Sequence, residues 1–310
     1  MLATLNAAAP IAIIILFGYA LNRYKVAGPE IWSAIEHVCF YILFPFLIVR
    51  TLARANLSDL PVLDYAIVIF GGVLGMMLLL LIARPLMARS GISGPSFTSL
   101  FQGATRWHGF MALAIVGALY GDAGIALVAL AISLLVPILN IATIAVLSIW
   151  GQTAENSAIS ARNILLRIAK NPLVWACITG LTLNIIGVPD FAFNAIEIIG
   201  DGGLGLAMLA VGAGLQMGTV WQTKWLLLLG VLIRIVGMPL IMILLSWIVG
   251  LEGLPRTVAI IAGAVPTAST AYVMARKMGG DYDLMANIVT FQVMASGITL
   301  PLFIYIAQNL

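Results

Sequence analysis

Ten apolar stretches follow one another along this chain with only short connections between them. They run near 5–22, 31–53, 62–87, 97–120, 124–149, 171–188, 191–216, 225–249, 255–275 and 284–307. About 20 apolar residues are enough for a helix to cross the hydrocarbon of a bilayer. The fold class read from this pattern is an all-α polytopic membrane protein with ten transmembrane helices. Composition agrees, since 62% of the 310 residues are hydrophobic and only 9% are charged, more apolar surface than a soluble domain of this size hides from water. The formal charge of +3 does not point to nucleic acid, because the basic residues lie scattered in the connections. Cys39 and Cys177 both fall in apolar stretches, so no disulfide framework is expected. The first stretch lacks a basic region before it, so no cleaved signal peptide is expected and that span stays.

The connections after stretches 1, 3, 5, 7 and 9 carry Arg23, Lys25, Arg89, Arg162, Arg167, Lys170, Lys224, Arg276 and Lys277. The other side offers Arg54 and Arg256, with Arg50 just inside stretch 2. The positive-inside rule then places the first set in the cytoplasm and both termini outside the inner (plasma) membrane. The longest polar connection, residues 151–170, is too short to hold a soluble domain.

The second half reads as a copy of the first. At a shift of about 160 positions Pro29 meets Pro189, Ala53–Leu57 meets Ala213–Met217, and Gln102-Gly103-Ala104 meets Ala262-Gly263-Ala264. Two five-helix repeats, each crossing an odd number of times, run in opposite directions. Inverted repeats of this kind hold a substrate where discontinuous helices meet.

Those discontinuities are visible in the residues. The fourth stretch, Phe97 to Tyr120, carries Gly103, Arg106, His108 and Gly109 at its middle. An arginine near the centre of a membrane helix costs roughly 2.5–3.5 kcal/mol on insertion scales, so it points to a site, the alternative being a structural pair with a buried carboxylate. The ninth stretch is interrupted by Gly263 and Pro266, followed by Thr267, Ser269 and Thr270. Proline removes a backbone donor and clashes with the preceding turn, whereas Pro45, Pro137, Pro239 and Pro301 are read as kinks. Two facing breaks bring two helix N-termini, each partly positive, near one point. With Arg106 added, that point suits a carboxylate. The candidate substrate-binding residues are Arg106, Trp107, His108, Gln102, Pro266, Thr267, Ser269, Thr270, Asn140 and Asn287. Trp107 either stacks on a ligand or packs. Asn140, Asn287, Thr290 and Gln292 either line the path or join helices.

Four motifs resemble the auxin efflux carrier family, whose bacterial members include proposed malonate and malate permeases, with the plant auxin exporters as relatives. They are Arg106-Trp107-His108-Gly109-Phe110, Pro266 with Ala271-Tyr272-Val273-Met274-Ala275, Thr299-Leu300-Pro301, and Phe44-Pro45. The resemblance implies a fold similar to that of bile acid/sodium symporters and sodium/proton antiporters, with helices 4 and 9 broken and crossed, and a homodimer. It also implies a scaffold of helices 1–2 (1–60) and 6–7 (171–220), with transport parts of helices 3–5 (61–150) and 8–10 (221–310) joined by the 151–170 loop. One departure is His108, where the family often has Asn. A histidine can take up a proton near neutrality, so the swap signals either proton coupling or a tolerated exchange of donor and acceptor.

Glu197 and Asp201 lie four residues apart in stretch 7 and share a helix face. They read as a proton or cation relay, with His108, or as end-of-helix carboxylates. Glu36 and His37 read as headgroup-region residues, and Arg234 as one half of a static structural pair whose other half is an acidic group or a helix C-terminus. The small-residue run from Gly200 to Gly214 permits close helix approach. The functional expectation is a secondary transporter of small organic anions, carboxylates or weak acids, working by elevator-type alternating access. Its partners would be the lipid bilayer, the substrate and a proton or sodium ion. The alternative is an anion channel with Arg106 as its filter. No cofactor, metal or nucleic acid is expected. With only two histidines and no HExxH or GxSxG pattern, an enzyme is not expected either.

Overall fold

The computed structural model describes residues 2–54, 61–152, 172–215 and 224–310, apart from the side chains of 2–8, 134 and 137. Most of the 151–170 connection, with Arg162, Arg167 and Lys170, lies outside the described residues. So do the far ends of the Ala53–Leu57 and Ala213–Met217 match.

The regular elements among the described residues are all helical. In lipid, a backbone that makes its hydrogen bonds within one segment needs no water. The order begins α1 (Leu2–Arg23), α2 (Pro29–Val38), α3 (Phe44–Ala53), α4 (Val62–Arg89), α5 (Gly94–Thr105) and α6 (Gly109–Trp150). It continues with α7 (Pro172–Ile186), α8 (Asp190–Asp201), α9 (Gly203–Ala213), α10 (Lys224–Leu232), α11 (Met238–Val249), α12 (Gly253–Ala264), α13 (Thr270–Lys277) and α14 (Tyr282–Asn309). Six helical stretches are long and apolar enough to cross a membrane, and Ala9–Arg23, Pro172–Ile186 and Gly253–Ala264 are shorter apolar helices. The protein is therefore a multi-pass membrane protein.

Two prolines expected as kinks explain two wide turns. The π-helical turn Cys39–Leu43 joins α2 to α3, and a second, Ile233–Gly237, joins α10 to α11. A proline collides with the carbonyl four residues before it. For Pro45 that residue is Tyr41 and for Pro239 it is Ile235, each the middle residue of its π turn. Widening the turn relieves the collision without ending the span. In α6, Gly121 has φ 59° and ψ −148°, a conformation open to glycine, and the helix folds back there.

The helices group into two compact units. The first comprises 1–60, 109–135 and 162–214; the second comprises 61–108, 136–161 and 215–310. Residues 109–135, which the family resemblance places with 61–108, group here with the first unit.

Within the first unit, small residues let backbones touch. A side chain on Gly212 would overlap the Ile15 carbonyl, and one on Gly18 would overlap that of Leu209, so α1 and α9 meet main chain to main chain. Gly200 sits against Leu47 and Gly180 against Val49 in the same way. Side-chain amides close these seams, with Asn22 donating to Ala213 O at 2.8 Å and Asn184 to Leu52 O at 3.0 Å. Phe44 and Phe110, both from the quoted motifs, stack with ring centroids 3.9 Å apart.

Within the second unit, Leu100, Leu227, Val231, Leu284, Met285 and Ile288 form a buried apolar cluster that joins α5, α10 and α14. Asp281 caps α14 through Leu284 N at 3.0 Å and accepts the Ser96 hydroxyl at 2.8 Å, tying the start of α14 to the start of α5.

Gly212→Ala forces the α1–α9 seam apart and should lower the melting temperature of detergent-purified protein, at an overpacking cost of about 1–3 kcal/mol. Gly205→Ala is the control, since nothing lies within 4 Å of its missing side chain. It should melt like the parent.

Candidate functional site

Two helices of the second unit stop short, and the sequence shows why. α5 ends at Thr105, two residues after Gly103, and the chain leaves through Arg106 at φ −72°, ψ 146°. α12 ends at Ala264 because Pro266 excludes the helical conformation from the residue before it. Val265 accordingly sits at φ −67°, ψ 147°, nearly the same exit. The helices resume at Gly109 and Thr270. Both are twelve residues long, and their interrupted ends are joined by a bond from His108 N to Pro266 O of 2.8 Å.

Helix ends leave carbonyls without partners, and buried ones must find donors. Thr267 donates its hydroxyl to Gly103 O at 2.6 Å and to Arg106 O at 3.2 Å. Gln292, on α14, donates to Gly103 O at 2.9 Å and Gly230 O at 3.0 Å, while its own oxygen accepts from Thr267 N at 2.8 Å. Arg234, in the second π turn and 1% exposed, donates to Val265 O, Ala262 O and Ala104 O. The static partner expected for Arg234 is thus the ends of two helices.

Arg106 differs. Its guanidinium donates to Asn140 Oδ1 at 3.1 Å, Thr270 Oγ at 3.3 Å and Met274 Sδ at 3.1 Å, all neutral. Among the described residues no carboxylate lies within salt-bridge distance of it. Arg106, Asn140 and Thr270 therefore come together, with Met274 added from a motif position that sequence reasoning did not assign to the site. Thr270 is exposed and Ser269 half-buried. Trp107 and His108 are buried, at 6% and 5% exposed. Pro266 and Thr267 are buried too, and their polar groups are committed to the joined ends. Gln102, fully buried one turn before Arg106, has neither amide atom bonded among the described residues, and Asn287 has its side-chain oxygen unbonded likewise. Such groups cost free energy until something pairs with them.

Glu197 and Asp201 stand elsewhere, in the first unit. Arg50 bonds Asp201 directly, reaches Asp122 at 3.0 Å and lies 3.9 Å from Glu197. One arginine thus ties α3 to α8 and to the fold-back at Gly121. The sequence signal for this group was a lone in-span arginine with Asp122 just past a glycine. Glu36 and His37 are exposed on α2.

The guanidinium of Arg106 thus stands at a helix break with only neutral atoms bonded to it. The sequence model for membrane transport proteins, the auxin efflux carrier family, matches residues 3–304. This chain belongs to that family. Its relatives include an uncharacterised transporter of Methanothermobacter thermautotrophicus, 25% identical over 94% of this chain and 95% of that one. Transporter YfdV of Escherichia coli K12 is 26% identical over 64% of each chain. Auxin efflux carrier component 6 of Arabidopsis thaliana is 30% identical over 42% of this chain, a match spanning 24% of that longer protein. The family consists of membrane transporters and not of enzymes, so transport across a membrane is the activity of this auxin efflux carrier family member.

The two glutamines give a paired test. Gln292→Leu strands Thr267 N and takes one donor from each of Gly103 O and Gly230 O, and should lower stability in thermal unfolding by about 1–3 kcal/mol. Gln102→Leu removes unbonded atoms and should melt at or above the parent temperature.

Proposed function

We propose that the protein is a secondary transporter of small organic anions, carboxylates or weak acids, and that Arg106 docks the anionic group. The observation carrying this reading is the guanidinium of Arg106 at a helix break with only neutral atoms bonded to it. An arginine fork matches a carboxylate bidentately. In this reading Asn140 and Thr270 exchange their bonds to Arg106 for bonds to the arriving anion. Gln102 and Asn287 supply hydrogen bonds once the site opens, while Trp107, His108 and Ser269 line it.

The architecture proposed around the site is ten crossings in two inverted repeats. Element lengths support it: Pro29–Ala53 has 25 residues against 24 for Asp190–Ala213, and Val62–Arg89 has 28 against 26 for Lys224–Val249. Helices 3–5 and 8–10 shift against helices 1–2 and 6–7 as an elevator, both termini face outward from the inner membrane, and the protein is a homodimer.

Arg106→Ala in proteoliposomes should reduce carboxylate uptake at least about a hundredfold, the scale of a lost bidentate charged contact, while the melting temperature stays close to that of the parent. An alanine variant that transports like the parent overturns the docking role. Proton coupling is assigned to His108, and His108→Asn should abolish the response of uptake to an imposed pH gradient. An unchanged response removes histidine from the coupling.

A further inference from the structure

The carbonyls around Arg234 have the character of a cation site. Ala104 O belongs to the last turn of α5, and Ala262 O and Val265 O to the end of α12. Each helix C-terminus carries about half a negative charge. Two of them converge here on one point, which together face a single positive charge. Converging main-chain oxygens are also the donor set by which membrane proteins hold small monovalent cations in place of water.

Arg234 fills that position. Nε donates to Val265 O at 2.8 Å, Nη2 to Ala262 O at 2.9 Å and Nη1 to Ala104 O at 3.4 Å. Among the described residues no carboxylate lies within salt-bridge distance of it. A buried guanidinium without a counter-charge would be strongly unfavourable, so these helix ends are its counter-charge. The π turn Ile233–Gly237 holds the residue where all three oxygens are in reach.

We infer that the converging carbonyls of Ala104, Ala262 and Val265 form a monovalent-cation site that the chain occupies with its own Arg234 side chain, so that no inorganic cation binds there during transport. Arg234 is a positioning residue: it fixes the ends of α5 and α12 and through them the break that carries Arg106. Removing the side chain while keeping the carbonyls leaves a vacant site for a free guanidinium ion. The consequence for transport rests on the transporter reading above; the consequence for stability does not.

The test uses full-length protein. Wild type should melt at the same temperature, and take up its carboxylate at the same rate, when sodium is replaced by potassium or choline. Arg234→Ala should melt well below wild type, lose about tenfold in uptake as its carbonyls go unpaired, and recover both saturably with millimolar guanidinium but not with tetramethylammonium. Arg234→Lys, which keeps the charge and loses the fork, should lie between the two. A saturable sodium requirement in wild type overturns the inference. So does an alanine variant as stable as wild type, or one that guanidinium restores no better than tetramethylammonium. Should the alanine variant not fold, the lysine variant decides: a folded, partly active protein supports the inference, and failure to fold overturns it. If wild type takes up no carboxylate at all, the anion reading fails, while the melting data still decide the role of Arg234.

Discussion

A helix that stops inside an apolar medium leaves carbonyls that water cannot reach, and the second unit of this protein contains two such stops. Most of what is unusual in its interior answers that constraint. Gln292 reaches from α14 to the end of α5 and to α10, Thr267 reaches back from one break to the other, and Arg234 spans both helix ends. Unmade hydrogen bonds in such surroundings cost more than made ones return. The breaks therefore persist because Gln292 and Arg234, from two other segments, and Thr267, within the second break, hold them.

Arg234 and Arg106, both in this unit, show how one residue type serves opposite ends. Arg234 is bonded by main-chain oxygens and almost wholly enclosed, so its charge is matched within the protein. Arg106 meets an amide oxygen, a hydroxyl and a thioether, none of which carries charge. Arg234 supplies rigidity, and Arg106 keeps an excess of positive charge where the chain is already open. Arg50 makes a third case, shared among carboxylates near a glycine fold-back in the first unit.

Much of this was legible in the residues. The stops at Arg106 and Val265 follow from local rules: glycine weakens a helix, proline excludes the helical conformation from its predecessor, and a charge in an apolar run needs a reason. The closeness of α1 and α9 follows from Gly18, Gly212 and their small neighbours. A helix C-terminus was one of the two partners expected for Arg234, but the particular carbonyls it meets were hidden because main-chain acceptors have no letter in the sequence. The π turns were hidden for a related reason. Proline announces a disturbance at Pro45 and Pro239 but not whether the helix bends, stops or widens. Gln292 gave no hint of its three bonds, since an amide within an apolar span reads alike as glue or as pore lining.

Reliance on main-chain oxygens has a bearing on how such a protein drifts. Ala104, Ala262 and Val265 contribute atoms that every residue possesses, so their side chains are constrained by room and not by chemistry. A lattice of this sort puts its chemical demands on a small number of donors and leaves the acceptors almost unrestricted. Substitutions at the acceptor positions can therefore accumulate while the oxygens that close the two helix ends stay in place.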